Sequence, residues 1–120
     1  MKETRIRWFR RAQKDFFKFP DDVRQRVSST LRKLELRLAP QNIKPLRGFG
    51  GGAIIMEIVV DYRTDTYRAF YTTKVGDVIY VLHCIQKKSK SGIALSQQDK
   101  KIIEQRLKAA REDVNKDAKS

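Results

Sequence analysis

TYRAFYTTKVGDVIYVLHCIQKK, from Thr66 to Lys88, decides the fold. Two runs rich in β-branched and aromatic residues flank Gly76-Asp77, the two-residue signal of a tight hairpin. With that loop Val75 faces Val78, and the numbers of paired residues sum to 153. Arg68 then lies opposite Ile85, Phe70 opposite His83, and Thr66 opposite Lys87. Side chains alternate between faces along a strand, and diagonal neighbours are ~7–8 Å apart. Arg68, His83 and Lys87 are therefore predicted to share one face.

Upstream, AIIMEIVVDY (residues 53–62) predicts a further strand, and a four-residue loop from Arg63 to Thr66 pairs Tyr62 with Tyr67. This register gathers Met56, Ile58, Val60, Tyr62, Tyr67, Ala69 and Tyr71, with Tyr80, Leu82 and Cys84, on a nearly uncharged face. The opposite face carries Glu57, Asp61, Arg68, His83 and Lys87. A one-residue slip would mix the two sets. The charged face reads as a floor for a phosphodiester, bordered by KKSKSG. The alternative is that Glu57 and Asp61 merely neutralise Arg68 while the last helix covers Phe70, Val81 and Ile85.

Further out, TRIRWF alternates Ile6 and Trp8 with Arg5 and Arg7 and predicts a short edge strand. Arg10 to Phe19 predicts a short helix ended by Pro20. Asp22 to Leu38 predicts a second, whose apolar stripe is Val23, Val27, Leu31, Leu34 and Leu38. In PLRGFGGG the glycines are followed by a strand, not by a lysine and a helix. They read as a turn rather than a phosphate cradle. A last helix starts near Ser96, with Ile102, Ile103, Arg106, Leu107 and Ala110 on its buried side. The whole is α+β: an N-terminal strand and two helices on a small twisted antiparallel sheet, then a C-terminal helix. Residues 1–113 form one domain, and 114–120 a polar, disordered tail.

The formal charge of +13 on 120 residues points to an anionic partner. Residues 1–47 hold 14 Lys and Arg against 5 Asp and Glu, so most of the excess lies there. One cysteine and one histidine exclude an internal disulfide and a zinc cluster. No run resembles a signal peptide or approaches the ~20 apolar residues of a membrane helix. These features predict a cytoplasmic, reduced protein with no membrane partner.

The order FPDDVRQRV, KPLRGFGGG, MEIVVDY, TYRAFYTT, VIYVLHCIQKKSKSGI and IIEQRLKAA resembles the HigB-like, phage-derived branch of the RelE/ParE toxin superfamily, from about Trp8 to Arg111. The resemblance implies the toxin of a type II toxin–antitoxin pair, a ribosome-dependent mRNA endoribonuclease. Such enzymes work without metal or other cofactor, by attack of the ribose 2′-hydroxyl on the adjacent phosphate. It implies a helix-turn-helix, HigA-like antitoxin, with ribosome and mRNA as further partners.

By position, Arg68 matches the arginine that stabilises the transition state, and Lys87 or Lys88 the basic residue that holds or protonates the phosphate. Glu57 stands where RelE proteins place a lysine, Val59 where they place a second. Their C-terminal tyrosine has no equivalent after SGIALS. Glu57 or His83 is then the expected base, and Lys90, Arg63 and Arg47 are expected RNA contacts. A ParE-like gyrase inhibitor and a non-catalytic RNA-binding domain are the competing readings, because one fold serves several functions.

Overall fold

The computed structural model describes residues 4–49, 54–88 and 95–119. Eight elements follow in the order β1 (Arg5–Trp8), α1 (Arg10–Phe16), α2 (Asp21–Glu35), β2 (Ile43–Leu46), β3 (Ile54–Tyr62), β4 (Asp65–Thr73), β5 (Val78–Lys87) and α3 (Gln97–Lys119). The α+β class is as expected. The strands form one five-stranded sheet in the order β1-β5-β4-β3-β2. Among the described residues no helix is long and apolar enough to cross a membrane.

The sheet is mixed rather than antiparallel, because β1 pairs with β5 in parallel. The long connection through α1, α2 and three strands permits this, since parallel neighbours cannot be joined by a tight turn. The segment at 43–46, whose Pro45 and Leu46 open the PLRGFGGG stretch read as a turn, is a strand on the outer edge of β3. Pro45 fits there, since an edge strand does not need every N–H.

Two helices cover one face. Ala12, Phe16, Phe19, Val23, Val27 and Leu31 pack on Ile58, Val60, Tyr67, Ala69 and Tyr71. Helix α2 stops at Glu35, and Leu38 beyond it is exposed, so the expected stripe ends one turn early. On the other face α3 lies along β5, and Ile103, Leu107 and Ala110 meet Val78, Tyr80 and Leu82. This helix continues to Lys119. The expected disordered tail from residue 114 is therefore helical through Lys119, and Val114 packs against the second core.

The two hairpins depart from the expected registers in instructive ways. Between β3 and β4, Tyr62 pairs with Asp65 across a two-residue turn, Arg63-Thr64, with Arg63 at φ 57°. The shift from the expected register is two residues, so every side chain keeps its face. Between β4 and β5, Arg68 pairs with Ile85, Phe70 with His83 and Thr66 with Lys87, as expected, but Tyr71 pairs with Val81. Leu82 is thus an extra residue, a β-bulge, and Leu82 and His83 both point towards α3.

The expected placement of Tyr80 and Leu82 beside α2 is corrected: they lie under α3, and Ile79 and Val81 take the α1/α2 face. Val75 and Val78 nevertheless pair directly. An offset near Lys74, at φ 61°, cancels the bulge and restores the register at the turn.

Candidate functional site

Glu57, Arg68, His83 and Lys87 all project from the α3 side of the sheet, as the strand pairing requires. The face is not an open cationic floor. Glu57 is 2% exposed, and its Oε1 stands 3.7 Å from Arg68 Nη1 and 3.6 Å from Lys44 Nζ. These are ion-pair distances, too long for direct hydrogen bonds. Among the described residues Glu57 Oε1 and Arg68 Nε have no hydrogen-bond partner. The stem of Arg68 lies between its cross-strand neighbours Val59 and Ile85, and the residue is 9% exposed.

A second group forms where β5 meets the start of α3. Ser96 Oγ accepts from Asp99 N–H at 3.0 Å and donates to Asp99 Oδ2 at 2.8 Å, fixing the first turn of the helix. The same carboxylate meets His83 Nε2 at 2.8 Å through Oδ1 and lies 4.0 Å from Lys87 Nζ through Oδ2. Burial alone would raise the Asp99 carboxyl. The bonds from His83 and Ser96, with the charges of His83 and Lys87, outweigh it and hold the group below its ordinary value.

Arg106 completes the group from the next turns of α3. It donates to the Leu82 carbonyl at 2.7 Å, the main-chain acceptor at the bulge, and lies 3.4 Å from His83 Nδ1. Both ring nitrogens of His83 therefore have neighbours inside the fold, and its ring stacks on Phe70 with centroids 6.2 Å apart. Partial burial of its charged head brings the Arg106 guanidinium below its usual range.

The remaining expected residues are spread out. Lys88 is exposed just beyond β5. Arg63, in the β3–β4 turn, lies over the Tyr62 ring at 5.4 Å, at the same end of the sheet as Lys87. Arg47 follows β2 at the opposite end. Leu46, just before Arg47, is level with Ile55, and Lys87 is level with Asp61, so at least six residue steps along β3 separate the two ends, roughly 20 Å. Lys90 lies outside the described residues. Sequence reasoning missed Lys44 and Asp99, and placed Arg106 on the buried side of the last helix without its partners on β5. Asp99 had a usable signal in Ser96-Gln97-Gln98-Asp99, a serine followed three residues on by an acid.

Residues 14–108 match the family described as phage-derived protein Gp49-like (DUF891). The chain belongs to the phage-derived Gp49-like family. The matched range takes in α2, the β2–β5 sheet and the first half of α3, and with them every described residue of the Gp49-like protein's polar face. Comparison with curated proteins and with solved structures gives no match.

Proposed function

We propose that this Gp49-like protein is the toxin of a type II toxin–antitoxin pair and arrests growth as a ribosome-dependent mRNA endoribonuclease. The observation that carries the reading is the placing of Arg68 and Lys87 as diagonal neighbours on one face of β4 and β5, with Lys88 exposed beyond. Family membership supports the toxin role. The resemblance supplies the partners: ribosome, mRNA and a HigA-like antitoxin.

In the proposed reaction the ribose 2′-oxygen attacks the neighbouring phosphorus, the bond from phosphorus to the 5′-oxygen breaks, and a cyclic phosphate remains. The 2′-hydroxyl proton passes to a base and the leaving 5′-oxygen takes one from an acid. Arg68 and Lys87 neutralise the charge that builds on the phosphorane, and Lys87 or Lys88 supplies the proton. Glu57 fits the base better than His83. Its Oε1 accepts no hydrogen bond among the described residues, whereas both imidazole nitrogens are engaged. Phosphate binding then draws Arg68 from Glu57, which frees the carboxylate to take the proton.

The test is induction in bacteria, followed by mapping of mRNA 5′ ends and measurement of DNA supercoiling. New ends inside translated frames are expected. Altered supercoiling without new ends would assign the protein to the gyrase inhibitors instead. Growth arrest with neither would refute both.

A further inference from the structure

The cations of the two N-terminal helices are unequally paired. On α2, Arg24 pairs with Asp21 and Arg32 with Glu35. On α1 and the turn after it, Arg10, Arg11, Lys14 and Lys18 are all exposed, and among the described residues none of them forms an ion pair. Their spacings of one, three and four residues put them on one side of the helix, opposite the buried Ala12 and Phe16. Asp15 is the only acid between Phe9 and Phe19. It is half-buried at the flank, where its charge acts on Cys84 and Arg106. The outer strip therefore carries positive charge alone over roughly 12 Å.

Phe17 stands beside the strip and is 58% exposed. Phe16 holds its ring in a tilted contact with centroids 5.7 Å apart. The ring borders a hollow of about 300 Å³ between α1 and α2, lined among others by Phe16, Gln25 and Ser28. The two charges at the hollow, Asp21 and Arg24, neutralise one another. The strip also leads towards the polar face of the sheet. Phe19 packs edge-on to Tyr67 with centroids 4.9 Å apart, Tyr67 pairs with Gln86, and Thr66 with Lys87. Lys18 therefore lies at the same end of the sheet as Lys87 and the exposed Lys88.

We infer that the outer side of α1 is a docking strip for the backbone of single-stranded RNA, with phosphates on Arg10, Arg11, Lys14 and Lys18 and one base stacked on Phe17. Unpaired cations displace counterions when they meet phosphates, and an exposed flat ring accepts any base. Binding is thus salt-dependent and indifferent to sequence. A protein partner is disfavoured. A stable interface needs about 800 Å² a side around an apolar core, and this segment offers one large exposed apolar side chain. The inference rests on the ribonuclease reading for its choice of RNA over other polyanions, and it extends the hold of that site on the message.

The purified protein is titrated with a labelled uridine tract in a series of salt concentrations, and binding is read by anisotropy. Lys14→Ala and Lys18→Ala should each flatten the slope of log affinity against log salt by about 0.7. Phe17→Leu should weaken binding roughly tenfold without changing the slope, because stacking displaces no counterion. Lys108→Ala removes the same charge from the exposed side of α3 and should leave slope and affinity nearly unchanged. Alanine and leucine suit helices, and circular dichroism checks that each variant is folded.

Equal losses from Lys108→Ala and Lys14→Ala would reduce the strip to net charge and overturn the assignment. So would an unaltered slope in the two lysine variants, an unaltered affinity in Phe17→Leu, or displacement of the RNA by polyglutamate or phosphatidylserine vesicles at matched charge. Mapping of mRNA 5′ ends after induction separates this inference from the ribonuclease reading. New ends from the wild type with no loss of slope in the variants would sink the strip alone. A loss of slope with no new ends from the wild type would sink the ribonuclease reading alone.

Discussion

Glu57 and Arg68 are nine-tenths or more buried, yet their closest charged atoms are 3.7 Å apart and not hydrogen-bonded. Removing one partner of such a pair leaves the other charge uncompensated. Arg68→Ala should therefore abolish growth arrest and also lower stability by about 1–3 kcal/mol, read by urea denaturation. Arg68→Lys keeps the charge against Glu57. It should recover most of the stability while leaving activity impaired, because an ammonium lacks the planar fork that grips a phosphate.

Asp99 gives a prediction in pH. Its folded carboxyl sits below the ordinary value, so its contribution is complete above the unfolded value near 4 and is lost as pH falls through the folded one. Asp99→Asn should flatten the stability profile below about pH 4, measured by thermal melts across pH. An unchanged acid limb would contradict the His83–Asp99–Lys87 grouping. That Arg68, His83 and Lys87 share a face was legible from the period of two in β4 and β5. That Asp99 holds two of them was not, since a residue on a separate helix has no register with a strand.

At the scale of elements, the far end of α3 acts as a clamp rather than a tail. Val114 lies against the β4–β5 turn, where a Cβ on Gly76 would come within 3.0 Å of its Cγ1. Gly76 also has φ 60°, a conformation that L side chains rarely adopt. Gly76→Ala should cost about 1–2 kcal/mol by chemical denaturation, from backbone strain and crowding together. Truncation after Glu112 removes Val114 and the Asp113 bonds to Tyr80 and Arg7. It should lower the melting temperature, where a disordered tail would leave it unchanged.

The same scale shows where local pattern misled. Hydrophobic alternation in VIYVLHCI cannot reveal that Leu82 is an extra residue, because leucine suits either face. The bulge is stabilised from α3, by Arg106 on the Leu82 carbonyl at 2.7 Å, and across the hairpin by Thr72 Oγ1 accepting from Tyr80 N–H at 3.0 Å. Those partners are 24 and 8 residues away.

For the molecule as a whole, two helical layers on opposite faces of one sheet place Cys84 deep beneath α1 and α2. Burial first, and the charge of Asp15 next, push its thiol up to about 12 against the opposing charge of Arg106. The nucleophile is the thiolate. Iodoacetamide labelling near pH 8 should therefore occur only through opening of the fold. Its rate should rise with denaturant in step with global unfolding, and fast labelling of native protein would show that this layer opens locally.

The sequence alone determined the α+β class, the two helices of the first layer, the Gly76-Asp77 turn and the side of the sheet on which Arg68 and Lys87 project. Each is written in spacing along a continuous segment, where backbone geometry converts sequence distance directly into direction. Tertiary structure decided the rest: the parallel pairing of β1 with β5, the bulge at Leu82, the inward ion pair of Glu57 with Arg68, and the union of Asp99 with His83. These depend on which distant groups meet once the core closes, and a buried charge or an interrupted ladder is stable only when such a partner arrives.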